Sequence, residues 1–201
     1  MKQSPEAFND AVRIVRRLAP EMGGISRFEV QRVAYLACLL ALYDGQPLSD
    51  WGYSFIRADF GTPFSGELSS ALDWLAERSL VPLSQRGRFD WPAEPSPLNV
   101  FLSDRLDSRS RYLLAACDSA LLLPASTIAD GIDAEPTSQS AAIHDRSRPL
   151  LSNVAQTLLY EQIEAIRQVV GQTAGDLLTP SLLWMTYSAG QPISRRVGER
   201  S

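Results

Sequence analysis

The chain has 201 residues, 45% of them hydrophobic and 21% charged, with a net charge of −4. That composition suits a folded globular protein and excludes a disordered or collagen-like one. Residues 1–95 carry 10 Lys and Arg against 12 Asp and Glu, and residues 96–201 carry 9 against 11. Neither half offers the chain-wide cationic attraction that marks a nucleic-acid binder.

Ser4-Pro5-Glu6 reads as a helix start: a capping hydroxyl, a proline at the first helical position and an acid in the first turn. Phe8, Ala11, Val12, Val15 and Leu18 recur at helical spacing, with Asp10, Arg13, Arg16 and Arg17 on the other face. Pro20 and Gly23-Gly24 are expected to end this helix. The next stretch, Ser26 to Tyr43, is the centre of the reading. Ser26 and Glu29 form a capping box, Ile25 and Val30 form a hydrophobic staple around it, and Asp44-Gly45 closes the helix. From Val33 onward it is apolar on nearly every face, and such a helix belongs in the core.

Gln46 to Gly52 reads as a loop and Tyr53 to Ile56 as a short strand. Gly61 and Pro63 make a turn. Ser65 caps a helix that runs to about Arg78 and buries Leu68, Ala71, Leu72 and Leu75. Leu80 to Leu83 and Arg88 to Trp91 read as a β-hairpin around Ser84 to Gly87.

Three prolines between Pro92 and Pro97 mark a boundary, giving one unit over 1–95, a second over 96–190 and a tail over 191–201. Leu98 to Leu123 is expected to be helical, broken near Asp107-Ser108, with Leu102, Leu106, Leu113, Cys117 and Ala120 as its stripe. Thr127 is read as the cap of a short helix ending near Gly131. Residues 131–148 are polar and read as a long surface loop. Leu150 to Val170 is amphipathic, with Leu151, Val154, Leu158, Ile163, Ile166 and Val169 or Val170 inward. Thr179-Pro180 opens a last helix through Trp184 and Tyr187. The fold class expected is mainly α with a small β-hairpin: a winged-helix-like first half and a helical second half.

No motif names a reaction. The single histidine, His144 beside Asp145, is the one candidate base and sits in the most polar segment. Cys38 and Cys117 lie in apolar helical patterns, far apart, and read as reduced core residues. Gly23-Gly24 lacks the Lys-Ser/Thr of a phosphate loop. No cofactor and no metal are expected. The first ten residues have no apolar signal core, and the longest apolar run, 112–124, contains Asp118 and is too short to span a bilayer. The expectation is a cytoplasmic protein without a membrane segment.

Two surfaces are candidates for binding. The helix after Gly61 exposes Glu67, Asp73, Trp74, Glu77 and Arg78, a net acidic face suited to a protein partner. Arg86 and Arg88 flank Gly87 at the hairpin tip, and Arg13, Arg16 and Arg17 share a helix face; these five are the candidates for nucleic acid. Three acids on the would-be recognition helix repel phosphate, so a protein partner is favoured over DNA.

Five features follow one another over residues 26–91: F-E-V-Q-R-V-A-Y-L-A-C, Y-S-F-I, G-T-P-F-S, Leu68-x-x-x-Leu72-x-x-Leu75, and a hairpin. This order resembles small bacterial winged-helix-like accessory proteins of mobile-element and defence loci. Among them are phage-associated proteins with a G-P-x-S turn and the middle subunits of three-component ABC/SMC-type ATPase systems. The resemblance implies an accessory, non-catalytic subunit that docks on a larger ATPase or nuclease. A winged-helix regulator that binds DNA is the alternative.

Overall fold

A computed structural model describes residues 4–58, 61–92, 98, 107–142, 148–151, 156–171 and 175–190. The fold is mainly helical. Helix α1 (Pro5–Met22) starts where expected, with Ser4 Oγ accepting from the Ala7 N–H at 3.1 Å. Pro20 does not end it. It lies in the last turn, and the helix continues to Met22, where Gly23 takes a left-handed φ of 62° that a side chain would oppose.

Helix α2 (Arg27–Tyr43) has both halves of its capping box: Glu29 N–H donates to Ser26 Oγ at 3.3 Å, and Ser26 N–H donates to Glu29 Oε2 at 2.7 Å. Every residue from Val33 to Leu42 is buried. Helix α3 (Gly66–Glu77) is capped by Ser65 and buries Leu68, Ala71, Leu72 and Leu75, as its pattern requires. It packs on α1 and touches α2, while helix α4 (Asp107–Leu122) crosses both α1 and α2 from the other half of the chain.

The strands are short and their pairing is non-local. Strand β1 (Ile25–Ser26) precedes α2. Strand β2 (Ile56–Arg57) and strand β3 (Pro63–Phe64) pair antiparallel, so no helical turn lies between Ile56 and Ser65 among the described residues. Strand β4 (Arg88–Phe89) pairs antiparallel with β1, Ile25 opposite Phe89, and Leu83 bridges Phe89 to complete the expected hairpin. The strand expected at Tyr53 starts three residues later, at β2. Tyr53 and Phe55 turn their rings inward, 5.4 Å apart, and Phe55 meets Tyr35 of α2 edge-on at 5.2 Å. Aromatic packing on α2 fixes this segment where no ladder does.

In the second half, helix α5 (Ala125–Asp133) starts after Pro124 without the side-chain cap expected of Thr127. Residues 131–142 are not surface loop. Glu135 is fully buried and opens helix α6 (Pro136–Ala142), accepting from the N–H groups of Thr137 (2.9 Å) and Ser138 (2.5 Å) and from the Tyr35 hydroxyl (2.7 Å). Strand β5 (Arg148–Pro149) then joins β2. Helix α7 (Gln156–Val170) buries Leu159, Ile163 and Ile166, not Leu158. Helix α8 (Leu178–Ala189) packs against α4, α5 and α7. Gly131 of α5 lets α8 approach: a Cβ there would stand 2.8 Å from the Met185 carbonyl oxygen.

Buried side chains from both sides of the Pro92–Pro97 segment share one apolar cluster. A buried ion pair also crosses it. Arg109 of α4 donates to both carboxylate oxygens of Asp10 (Nε to Oδ1 3.3 Å) and to the Trp51 carbonyl (2.6 Å), and it stacks 3.8 Å over the Trp51 ring. The Tyr53 hydroxyl donates to Asp10 at 2.8 Å. Asp10, placed by periodicity on the polar face of α1, is thus an interior residue. Burial pushes its carboxyl above the usual range, and Arg109 opposes that. Among the described residues, no helix is long and apolar enough to cross a membrane.

Candidate functional site

The outer face of α3 carries the five residues expected to meet a partner. Glu67 accepts from Ser65 Oγ at 3.0 Å. Asp73 pairs with Arg27, whose other nitrogen donates to the Ser69 carbonyl at 3.1 Å, so α3 is tied to the start of α2. Trp74 is half-buried. Its ring meets Phe8 of α1 edge-on at 5.3 Å, and Arg78 lies 4.5 Å over it. Trp74 therefore joins α3 to α1, with Arg78 as its lid. Glu77 and Arg78 are exposed. The structure brings the five onto one helix face and engages Asp73 and Trp74 within the protein.

The five arginines fall into two groups. Arg86 is exposed at the hairpin tip, in the turn closed by Gly87 N–H to the Ser84 carbonyl at 2.9 Å. Arg88 points inward. It donates to the Gly24 carbonyl (Nε 3.0 Å) and lies 3.2 Å from Glu29, clamping β4 to β1. Its charge is neutralised, which leaves the tip with Arg86 as its one outward cation among the described residues.

Arg13, Arg16 and Arg17 line a groove between α1 and α4 of about 360 Å³, opposite Ser110, Leu113 and Cys117. Arg17 pairs with Asp118 of α4 at 2.7 Å, and Arg16 lies 5.9 Å from the Trp91 ring. The thiol of Cys117, on the groove wall, is pushed up to about 12 by burial. Cys38 is raised by burial as well, and both cysteines are free and buried, so neither is an activated thiolate. His144 lies outside the described residues.

Sequence reasoning missed a third surface. Leu122, Leu158, Val169, Leu183 and Tyr187 are 44–79% exposed, on the outer sides of α4, α7 and α8. The last two helices are locked by Gln162, which accepts from Trp184 Nε1 at 2.9 Å and donates to Ser188 Oγ at 3.3 Å. Two stripes compete on α7, because Leu158 and Leu159 are adjacent. The sequence does carry the right one: Leu159, Ile163, Ile166 and Val170 recur at helical spacing and face the core. Leu158 and Val169 share the neighbouring stripe, and α7 leaves it in solvent.

No family model, no curated protein and no solved structure matches this chain.

Proposed function

We propose that the protein is a non-catalytic interaction subunit of a larger bacterial complex, docking on an ATPase or nuclease of a DNA-handling or anti-phage defence assembly. One observation carries the reading. Five large apolar side chains stand in solvent on α4, α7 and α8, where α8 packs against both neighbours. Large apolar side chains left in solvent on packed helices offer anchor points for a protein partner, and an aromatic such as Tyr187 is a frequent anchor. The acidic outer face of α3 supports the same reading, with Glu67 and Glu77 exposed or half-exposed beside Arg78. The alternative, a DNA-binding regulator, draws less support. Arg88 is internal and Arg17 is paired, so Arg86 and Arg16 carry most of what remains.

The test is capture of the tagged protein from its host with nuclease treatment, read by mass spectrometry. A stoichiometric ATPase or nuclease is expected to survive digestion. Leu183→Glu with Tyr187→Glu is expected to release it while changing stability by only about 0.5 kcal/mol, since both side chains are exposed. Capture of DNA alone, lost on digestion, would overturn the reading in favour of the regulator.

A further inference from the structure

We propose that the segment from Arg148 to Leu151 is a releasable strap: strand β5 detaches from β2 as a unit, the rest of the fold stays in place, and the edge of β2 is opened. Strand β5 shares no residue with the surfaces on which the partner-binding reading rests.

The backbone carries the first observation. Leu151 has a φ of 58°, and among the described residues only it and Ser79 have a positive φ without being glycine. The left-handed region crowds a side chain, and a leucine there persists only while its surroundings hold it. Ser79 directly follows the cap of α3, where helices commonly leave through that region. Leu151 ends no helix. It follows β5 by two residues.

The pairing that holds β5 is thin. The strand has two residues, and one is a proline with no N–H to give. Ile56 lies opposite Pro149 and Arg57 opposite Arg148, and the Leu150 N–H donates to the Phe55 carbonyl at 2.9 Å. Closure is secured mainly by burial, with Leu150 and Leu151 5% and 7% exposed in the apolar cluster. Two buried leucines therefore work against a strained backbone and a short ladder, and such an element opens below the free energy of global unfolding.

Strand β2 does not depend on the strap. It pairs with β3 on its other side. Arg57 donates to the Ser138 carbonyl of α6 at 3.1 Å, and Phe55 packs edge-on against Tyr35 of α2. With β5 released, β2 keeps these anchors and presents an unpaired edge. Such an edge is a template for an extended segment of another chain.

Hydrogen exchange of the full chain, read by NMR at low urea concentrations, tests this. The Leu150 amide is expected to exchange at least about a hundredfold faster than the amides of Leu36 to Leu40, with almost no urea dependence, as an opening that exposes little surface requires. The Gln139 amide, bonded to the Glu135 carbonyl, is expected to stay slow because α6 stays docked. In Ile56→Cys with Pro149→Cys, the new thiols face each other across a non-hydrogen-bonded pair and are close enough for a disulfide, while Cys38 and Cys117 are buried. Oxidation is expected to slow Leu150 exchange by about tenfold or more relative to the same variant reduced. Exchange of Leu150 at the α2 rate, or with the urea dependence of α2, would overturn the proposal. So would equal rates in the oxidised and reduced variant, or loss of Gln139 protection together with that of Leu150. Neither readout involves a captured partner, so the strap and the subunit reading fail separately.

Discussion

Asp10 and Arg109 stand 99 residues apart in the chain and form an ion pair that is almost wholly shielded from water. Removing one partner leaves the other buried and charged, and that costs about 3–5 kcal/mol. Asp10→Ala and Arg109→Ala are each expected to lose that much in urea unfolding. The double variant is expected to lose less than the sum, because the two changes share one interaction.

Glu135 gathers four donors from two elements: the Tyr35 hydroxyl of α2, the Thr137 hydroxyl, and the Thr137 and Ser138 amides of α6. Glu135→Ala is expected to cost about 3 kcal/mol or more, since buried donors are left without an acceptor. Tyr35→Phe removes one donor and leaves the others in place, and is expected to cost about 1 kcal/mol. Hydrogen exchange across residues 137–142 separates the two. The first variant is expected to expose those amides, and the second to leave them protected.

Two glycines are expected to respond to alanine in opposite senses. At Gly131 the new Cβ meets the Met185 backbone, so Gly131→Ala is expected to destabilise by about 1–3 kcal/mol as α5 and α8 are forced apart. At Gly66 nothing lies within 4 Å and the residue opens α3, so Gly66→Ala is expected to be neutral or to stabilise by up to about 1 kcal/mol. Thermal melts of the two variants check this.

Asp176 supplies a pH dependence. Its Oδ1 accepts from the N–H groups of Leu178 (3.0 Å) and Thr179 (3.1 Å) at the start of α8. Hydrogen bonds from the Thr179 side chain and then its backbone hold the carboxyl below its ordinary value of 3.8. A lowered folded-state value stabilises above the unfolded value, and the stabilisation is lost as pH falls through the folded one. Asp176→Ala is therefore expected to cost about 1 kcal/mol near neutral pH. The gap between variant and parent is expected to shrink as pH falls below the ordinary value of 3.8 and to close once the carboxyl is protonated in the folded state as well.

The sequence displays the first half's helices because their signals are local. Ser4, Ser26 and Ser65 cap where expected, and the buried sets of α2 and α3 follow from spacing alone. The strands were harder to read because two-residue pairs are set by distant neighbours: Ile25 by Phe89, and Ile56 by Pro149. The interior polar residues were harder still. Asp10 looks like a surface residue until Arg109 is placed on it. Glu135 sits in a polar run that reads as loop, because the donors that make its burial tolerable belong partly to α2. The outward stripe of α7 is hidden for a different reason: adjacent leucines fit two registers. Arg13, Arg16 and Arg17 fall on one face of α1 by spacing, but the concavity they line depends on α4, which lies some ninety residues further along the chain.

Helix α2 is made early and covered late. A ribosome delivers it before any of α4 exists, and at roughly 5–20 residues per second the wait lasts several seconds. During that interval the nascent chain holds a nearly all-apolar helix whose α4-facing side lacks its cover. Polypeptides released before Leu122 is reached are expected to precipitate, so in-frame stop codons upstream of α4 should yield inclusion bodies where the full-length product stays dispersed.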